Sequence, residues 1–338
     1  MALPVTAPHQ HRAAVRAAAA RTARALARSA GFELIRRGDT AALESAGYDV
    51  VARGQFDIVR HDYYSPVPDL PALREDIWDR RSAIGGVELN SAAGIEFVES
   101  RLASFITELH VPLHDPGEPG EFFLRNGAFE SVDAELLYGV IRDVRPRRVI
   151  ELGSGYTTLL INMACRMNER EGTRATHDAY DPFPREHIVG TALPEPTRIT
   201  PISATEVPLE TFEELEEGDV LFVDSTHTVK LGSDVNFVIL DVLPRLQPGV
   251  VIHFHDIFLP WEYPRSWFTE MRYFWAEQYL LQAFLAFNGE FEVVIPGQAI
   301  AREYPERLRR VIPSFAEGAS PGSMWLQRAS GRSTGTAV

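Results

Sequence analysis

The segment at residues 148–158, RVIELGSGYTT, constrains the fold more than any other part of this chain. Residues 148–152 have the largely apolar character of a strand buried in a parallel sheet. Gly153 and Gly155 then permit a tight turn and a close approach to the backbone, which a β-carbon would obstruct. With a helix starting after the turn, the segment predicts a strand-turn-helix unit that holds a small molecule; an ordinary unit without a ligand is the alternative.

Two polar residues of this segment bear on the nature of the ligand. In a dinucleotide-binding unit a third glycine packs the helix against the strand, whereas this chain has Thr158 at that position. The carboxylate of Glu151 would repel a pyrophosphate, but it could accept hydrogen bonds from a hydroxyl group or lie beside a cation. The turn is therefore better suited to S-adenosylmethionine (SAM) than to NAD.

Asp181 is a second candidate for cofactor binding. It follows an apparent second strand and lies 28 residues after Gly153 (181 − 153). In folds of this kind an acid near that position accepts hydrogen bonds from ribose hydroxyl groups. The alternative is an aspartate that caps a turn before Pro182.

Composition and charge limit the class of function. A chain of 338 residues predicts about two structural units, and the net charge of −14 disfavours a general nucleic-acid surface, so a small-molecule substrate is expected. The single cysteine, Cys165, excludes intrachain disulfides and Cys-rich zinc sites, and we expect it to be a buried apolar residue. The single cysteine fits a reducing compartment, and no stretch of about 18 consecutive apolar residues is present. We therefore expect a cytoplasmic protein without a membrane span.

The N-terminal part of the chain follows no single pattern. Residues 1–32 contain Arg and Ala but no acid, which resembles a transit peptide, although we favour a helix at about 12–29. Further helices are predicted at 70–82 and 93–109, and the segment 115–120 is the best linker. The predicted organisation is a mainly helical region at 1–120 that shapes the acceptor pocket or mediates oligomerisation, a main domain at 121–330 and a disordered tail at 331–338.

From residue 131 helices and strands alternate regularly. Helices are predicted at 131–144, 156–169 and 233–245, and strands at 148–152, up to Asp181, at 198–202, at 219–224 and at 249–255. A long aromatic helix at 265–288 follows, with final strands at 291–295 and 323–328 that could form an antiparallel edge. This alternation predicts an α/β fold with a doubly wound sheet, whose ligands lie at the carboxyl ends of the strands.

Two of these strands end in acidic and imidazole side chains. Asp224 and His227 follow one strand, and His255 and Asp256 end another. Because both ends face the same crevice, the four side chains can converge on a metal site or an acid-base site, although each could instead cap a loop. With nitrogen among the ligands, Mn, Fe, Co or Zn is as plausible as Mg. His253 lies deeper on its strand and is expected to be a core histidine.

Taken together, these residues resemble the class I SAM-dependent methyltransferases. Glu151-Leu152-Gly153-Ser154-Gly155 is similar to the first motif of that family, and Asp181 to its ribose-binding acid. The likeness is closer to a bacterial subgroup in which Val-Asp-Ser-Thr-His, here 223–227, precedes Leu-Pro-Arg-Leu and then His-Asp-Ile-Phe-Leu-Pro, here 255–260. The resemblance covers about residues 122–328 and implies a Rossmann-like, mostly parallel sheet of seven strands with an antiparallel last strand.

The resemblance also implies roles for the site residues. Metal-dependent catechol-type O-methyltransferases have acidic ligands at the ends of their fourth and fifth strands, which correspond to Asp224 and to His255 with Asp256. An aspartate is expected where this chain has His255, so magnesium is in doubt and His255 is either a ligand or a base. The predicted cofactor-binding residues are Glu151, Gly153, Ser154, Gly155, Thr157, Asp181 and Asp224; the predicted metal ligands are Asp224, His255 and Asp256; and the predicted catalytic residues are His227 and His255.

We therefore expect an enzyme that transfers a methyl group from SAM to a small molecule, first of all to a hydroxyl of a sugar or natural product and next to an amine or a carbon. In this hypothesis His227 or His255 removes the acceptor proton, and a divalent metal (Mg, Mn, Fe or Zn) lowers the pKa of the acceptor hydroxyl. The alternatives are an NAD-dependent oxidoreductase and a noncatalytic SAM-fold or metal-binding partner protein. A homo-oligomer is compatible with each of them.

Overall fold

The computed structural model describes residues 32–36, 56–60, 66–117, 120–186, 193–316 and 319–330. The helix predicted at 12–29 and the tail predicted at 331–338 lie outside these residues. The chain divides into two compact units, Met1–Glu75 with Ser266–Phe274 and Asp76–Arg265 with Trp275–Val338. Every predicted site residue belongs to the second unit.

Among the described residues of the N-terminal region, one predicted helix is not formed. β1 (Phe32–Arg36) pairs antiparallel with β2 (Phe56–Arg60) in the first unit. The helix predicted at 70–82 is replaced by two 3-10 turns, Leu70–Ala72 and Glu75–Trp78. The first turn ends because the backbone of Leu73 is extended, with ψ 140°.

Seven strands of the second unit form one sheet. They are β3 (Arg148–Leu152), β4 (Thr176–Tyr180), β5 (Thr197–Thr200), β6 (Val220–Val223), β7 (Val251–Phe254), β8 (Phe291–Pro296) and β9 (Met324–Arg328). Their order is β5-β4-β3-β6-β7-β9-β8; the neighbours from β5 to β7 are parallel, and β9 is antiparallel to both of its neighbours. The predicted doubly wound, mostly parallel sheet with an antiparallel last strand is confirmed.

Helices cover both faces of this sheet. They are α1 (Ser91–Phe97, continued by Val98–Leu102 and Ala103–Glu108), α2 (Asp133–Val144), α3 (Tyr156–Arg170), α4 (Leu209–Glu213), α5 (Asp234–Asn236, continued by Phe237–Val242 and Leu243–Arg245), α6 (Glu277–Leu285), α7 (Gly297–Glu303) and α8 (Pro305–Val311). Four of them, α1, α2, α3 and α5, confirm predicted helices. Within the described parts of the chain, no helix combines the length and the apolarity needed to cross a membrane.

The long aromatic helix predicted at 265–288 is interrupted. A π-type turn at Trp267–Met271 ends at Arg272, whose φ of +62° lies in the left-handed region that commonly ends helices. Helix α6 begins only at Glu277. The interruption matters for the site because the residues that precede α6 contact the end of β6.

Alternating residues of the central strands supply two apolar cores, one on each face of the sheet. Val149 and Phe222 belong to the cluster on one face, and Ile150 and Leu221 belong to the cluster on the other. Cys165 of α3 is fully buried in the first cluster, and burial raises the pKa of its thiol to about 12. It is therefore the buried apolar residue that was expected.

Candidate active site

The turn that follows β3 lies directly against the end of β6. Gly153 has φ +100°, and a β-carbon at this position would lie 2.1 Å from the carbonyl oxygen of Asp224. The backbone N–H of Asp224 donates to Leu152 O at 2.9 Å, and the N–H of Gly153 donates to Tyr180 O at 2.9 Å. A β-carbon on Gly155 would meet no described heavy atom within 4 Å, so the turn is open on that side.

Ser154 and Asp181 form one wall of this opening. Ser154 Oγ donates a hydrogen bond to Asp181 Oδ2 at 2.7 Å, and the N–H of Phe183 donates to Asp181 Oδ1 at 2.7 Å. Ser154 and Asp181 are both half-buried. The structure thus brings the first glycine motif and the acid after the second strand together, as the sequence predicts.

Glu151 and Thr157, also predicted to bind the cofactor, are instead bonded within the protein. Glu151 is fully buried, and its two carboxylate oxygens contact Thr157 Oγ1 at 2.5 Å and His177 Nε2 at 2.9 Å. His177 Nδ1 in turn lies 2.8 Å from Thr197 Oγ1. These contacts join β3, α3, β4 and β5, and they give both carboxylate oxygens of Glu151 a partner within the protein.

A second group of polar side chains lies at the ends of β6 and β7. His227 Nε2 lies 3.2 Å from Asp224 Oδ1 and 3.6 Å from Asp256 Oδ2. One nitrogen or oxygen of each residue lies within 4.8 Å of the corresponding atoms of the other two, and this set of donors fits a divalent cation. The sequence predicts Asp224, His255 and Asp256 as the metal ligands. In the structure the histidine that completes this three-residue group is His227.

His255 lies on the other side of the same carboxylates. Its Nδ1 is 3.6 Å from Asp224 Oδ1 and 3.5 Å from Asp256 Oδ1, while its Nε2 is 3.6 Å from Asp133 Oδ2. The imidazole packs against the ring of Phe129, with 4.8 Å between the ring centroids. The four predicted residues therefore do converge, and Asp133 joins them.

Asp133 stands at the start of α2, and the loop before β9 fixes it in place. Its carboxylate accepts hydrogen bonds from the backbone N–H groups of Gly322 at 3.0 Å and Ser323 at 2.9 Å. Burial acts to raise the pKa of Asp133, but the contact with His255 and these hydrogen bonds outweigh it and lower the pKa. The carboxylate is consequently held ionised beside the imidazole.

Glu277, the first residue of α6, contacts His227 from the opposite side. His227 Nδ1 and Glu277 Oε2 are hydrogen-bonded at 2.7 Å. The carbonyl oxygen of His227 accepts hydrogen bonds from the N–H groups of Ala276 at 3.0 Å and Glu277 at 3.2 Å. The indole of Trp275 covers the imidazole at 4.3 Å between ring centroids. His227 is thus fixed through both its backbone and its side chain.

The electrostatics of the group favour the ionised form of its central carboxylate. Burial acts to raise the pKa of Asp224, but the charges of His255 and His227 and their hydrogen bonds hold that pKa well below its ordinary value. Burial likewise acts to lower the pKa of His227 and of His255, yet the surrounding carboxylates raise each pKa well above the ordinary value. The carboxylates therefore concentrate negative charge in a position where a cation can neutralise it.

The donor chemistry and an unpartnered polar atom support a ligand at this position. Ser225 Oγ, next to Asp224 in the chain, is buried without a hydrogen-bond partner among the described residues, as is Glu277 Oε1.

His253 is the core histidine predicted from its depth, because it is fully buried and its ring stacks on that of Phe222 with 4.2 Å between the centroids. Burial lowers its pKa well below the ordinary value.

Asp133 and Glu277 are not predicted as site residues from the sequence. Asp133 reads as an ordinary acid in the first turn of a helix, where the helix dipole favours it. Glu277, with its neighbour Gln278, interrupts an otherwise aromatic and apolar segment, and both side chains are buried. That buried polar pair is the one available signal, since a buried carboxylate requires a partner.

Part of the second unit is similar to known protein sequences. Residues 150–257 match the family model of a methyltransferase domain. An uncharacterized protein of Archaeoglobus fulgidus is 27% identical over 168 residues, which are 46% of this chain and 72% of the relative.

Solved structures give weaker likenesses. An apo-structure of CmcI is 12% identical with a TM-score of 0.35, over 60% of this chain and 73% of that chain. The plantazolicin methyltransferase BamL, in complex with a triazolic desmethylPZN analog and SAH, is 14% identical with a TM-score of 0.33, over 59% of this chain and 83% of that chain.

Proposed function

We propose that the chain is a class I SAM-dependent methyltransferase that methylates a hydroxyl group of a small molecule, such as a sugar or a natural product; the match of residues 150–257 to a methyltransferase domain and the order of the sheet support this proposal. The observation that carries this proposal is the group of Asp224, His227, His255 and Asp256 beside the open glycine turn. A hydroxyl oxygen must lose its proton as it is methylated, and this group combines a cation site with an imidazole.

The glycine turn would hold the cofactor. Gly155 leaves room for close approach of a ligand to the backbone, and Ser154 holds Asp181 at the edge of that space. Asp181 would accept hydrogen bonds from the ribose hydroxyl groups of SAM. The sulfonium of SAM supplies an activated methyl group, so the task of these residues is to fix its position relative to the acceptor.

A divalent cation would be held by Asp224, His227 and Asp256. When bound, such a cation lowers the pKa of a hydroxyl group that contacts it. His255 lies beside the same two carboxylates, which raise its pKa; with their charge neutralised by a cation, its imidazole would be free to accept the proton of the acceptor hydroxyl. Asp133 faces the other nitrogen of His255 and would stabilise the imidazolium that forms.

The first experiment is calorimetry and thermal unfolding of the full chain with SAM, S-adenosylhomocysteine or NAD, each with and without EDTA and divalent metal. We expect SAM at 100 times its Kd to stabilise the fold by about 2.7 kcal/mol, independently of metal. A panel of sugar and natural-product hydroxyl acceptors then tests transfer. Stabilisation by NAD alone would overturn the proposal, and SAM binding without transfer to any acceptor would favour the noncatalytic alternative.

A further inference from the structure

The two histidines of the site differ in how firmly they are held. His227 Nδ1 lies 2.7 Å from a carboxylate oxygen of Glu277, whereas each carboxylate contact of His255 is 3.5 Å or longer. Glu277 comes from α6, outside the residues 150–257 that match the methyltransferase family. The short contact between His227 and Glu277 therefore reaches outside the matched family segment, and its role is inferred from the geometry of this chain.

The contact determines which nitrogen of the His227 ring is available to a cation. His227 Nδ1 is taken up by Glu277 Oε2 at 2.7 Å, so this nitrogen is not free to contact a metal ion. Nε2 faces the space between Asp224 and Asp256, at 3.2 Å and 3.6 Å from their carboxylate oxygens. This is the arrangement of a metal-binding histidine whose other nitrogen donates to a carboxylate.

The surrounding backbone makes the arrangement rigid. His227 has φ +55°, an uncommon conformation for a residue with a side chain. Its carbonyl oxygen accepts hydrogen bonds from Ala276 and Glu277, so the start of α6 fixes the backbone of His227 as well as its ring. The side chains of His227 and Glu277 are only 5% and 1% exposed, which keeps water from competing for the contact.

We propose that Glu277 is a positioning residue that turns His227 Nε2 into a cation ligand, so that the site selects divalent cations that accept nitrogen ligands over magnesium. The inference rests on the proposed function and adds the class of cation to it. Mn²⁺, Fe²⁺, Co²⁺ and Zn²⁺ accept an imidazole ligand readily, whereas Mg²⁺ prefers oxygen ligands alone.

The test measures cation binding directly, with Co²⁺ as a spectroscopic probe and Zn²⁺ and Mg²⁺ by calorimetry. We expect the wild type to bind Co²⁺ and Zn²⁺ at least 10-fold more tightly than Mg²⁺. Glu277→Leu removes the acceptor, and we expect it to weaken Co²⁺ and Zn²⁺ binding by about 10–100-fold and to change the visible absorption of bound Co²⁺. Mg²⁺ binding should change much less.

Glu135→Leu is the matched control. Glu135 is another buried glutamate with one carboxylate oxygen that has no partner among the described residues, and it lies outside the cation group. We expect this variant to keep the wild-type cation affinities. Unchanged Co²⁺ binding and absorption in a folded Glu277→Leu variant, or equal wild-type affinities for Mg²⁺ and Co²⁺, would overturn the inference.

A second measurement does not depend on the stability of a variant. In long-range ¹H–¹⁵N NMR spectra of the zinc-loaded wild type, we expect His227 to carry its proton on Nδ1, and a proton on Nε2 would contradict the inference. SAM binding is measured on the same samples. If SAM binds and cation selection is absent, only this inference fails; if SAM does not bind, the proposed function fails.

Discussion

The polar side chains are arranged differently in the turn after β3 and in the group at the ends of β6 and β7. Around the turn, hydrogen bonds pair Glu151 with Thr157 and Ser154 with Asp181, so these polar side chains have partners within the protein. At the ends of β6 and β7, the carboxylates of Asp133, Asp224, Asp256 and Glu277 surround only two imidazoles. The polar side chains of the first region are paired with one another, whereas the second region has more carboxylates than imidazoles.

This difference separates shape from charge as the basis of binding. A shaped opening binds through close packing and backbone contacts, so it should be sensitive to one additional methyl group. A group of charges binds and reacts through ionisable atoms, so it should be sensitive to the removal of a single nitrogen or oxygen. Substitutions in one region should therefore leave the function of the other largely intact.

The largest effect is expected from His255→Ala. Loss of a general base typically lowers kcat by about 10²–10⁴-fold, and the affinity for SAM should be unchanged because the glycine turn is intact. The measurement is steady-state transfer to a hydroxyl acceptor together with SAM calorimetry. His110→Ala, at an exposed histidine, is the control and should behave as the wild type. Normal turnover by both His255→Ala and His227→Ala would show that neither imidazole serves the reaction.

A pair of glycine substitutions tests the other region. In Gly153→Ala the new β-carbon meets the carbonyl oxygen of Asp224 at 2.1 Å on a backbone with φ +100°, so we expect a loss of about 2–4 kcal/mol in the free energy of unfolding. Gly155→Ala places a β-carbon in open space and should cost about 1 kcal/mol or less, yet weaken SAM binding. Urea unfolding and SAM calorimetry distinguish the two; full SAM affinity in Gly155→Ala would place the cofactor elsewhere.

The sequence predicts the sheet well because its strand signals are local. The apolar runs that form β3, β6 and β7 and the helices between them are recognisable without knowledge of their partners. The position of β9 between β7 and β8 is not recognisable in this way, since both final strands are apolar and either could form the edge. Only the pairing of β9 with each neighbour decides which of them is the edge strand.

The site is predictable only where the parallel order of neighbouring strands brings the residues together. The convergence of Asp224 with Asp256 follows from the parallel arrangement of their strands. The choice between His227 and His255 as cation ligand depends on Glu277 and Asp133, which come from helices remote in sequence. The contact of Glu151 could not be predicted for the same reason, because its partner His177 lies on the neighbouring strand β4.

An ionic cluster around the buried Arg142, away from the site, provides a third case, in which charges contribute to stability. The Arg142 side chain is 1% exposed and donates to Glu108 Oε1 at 2.5 Å and to Glu171 Oε1 at 2.6 Å. Burial acts to raise the pKa of Glu108, but the hydrogen bonds from Arg142 and Tyr138 outweigh it and lower the pKa. Here each carboxylate has a cationic partner, and no cation needs to be added.

Glu108→Gln should therefore lower the free energy of unfolding by about 1–2 kcal/mol at pH 7 without affecting SAM or cation binding. Since the pKa of Glu108 is lowered by folding, its contribution is fully present above the ordinary value of 4.5 and is lost as the pH falls through the folded-state pKa. Urea unfolding between pH 7 and pH 3 should show the difference from the wild type shrinking in acid. Glu292→Gln, at an exposed residue, is the control, and a difference that grows in acid would contradict the assignment.

The smallest effect is expected from Ser154→Ala, which removes the hydroxyl group that donates to Asp181 at 2.7 Å. A hydrogen bond of this kind contributes about 0.5–1.5 kcal/mol, so the Kd for SAM should rise by about 2–10-fold while kcat at saturating SAM stays near the wild-type value. Ser320→Ala removes a comparable hydroxyl, 3.1 Å from Gln298 Oε1, and serves as the control in calorimetry. The small size of the effect is itself informative, because the N–H of Phe183 still holds the other oxygen of Asp181 and the shape of the turn is retained. A fall in kcat with an unchanged Kd would instead mean that Ser154 belongs functionally to the charged group, and the separation of shape from charge would not hold.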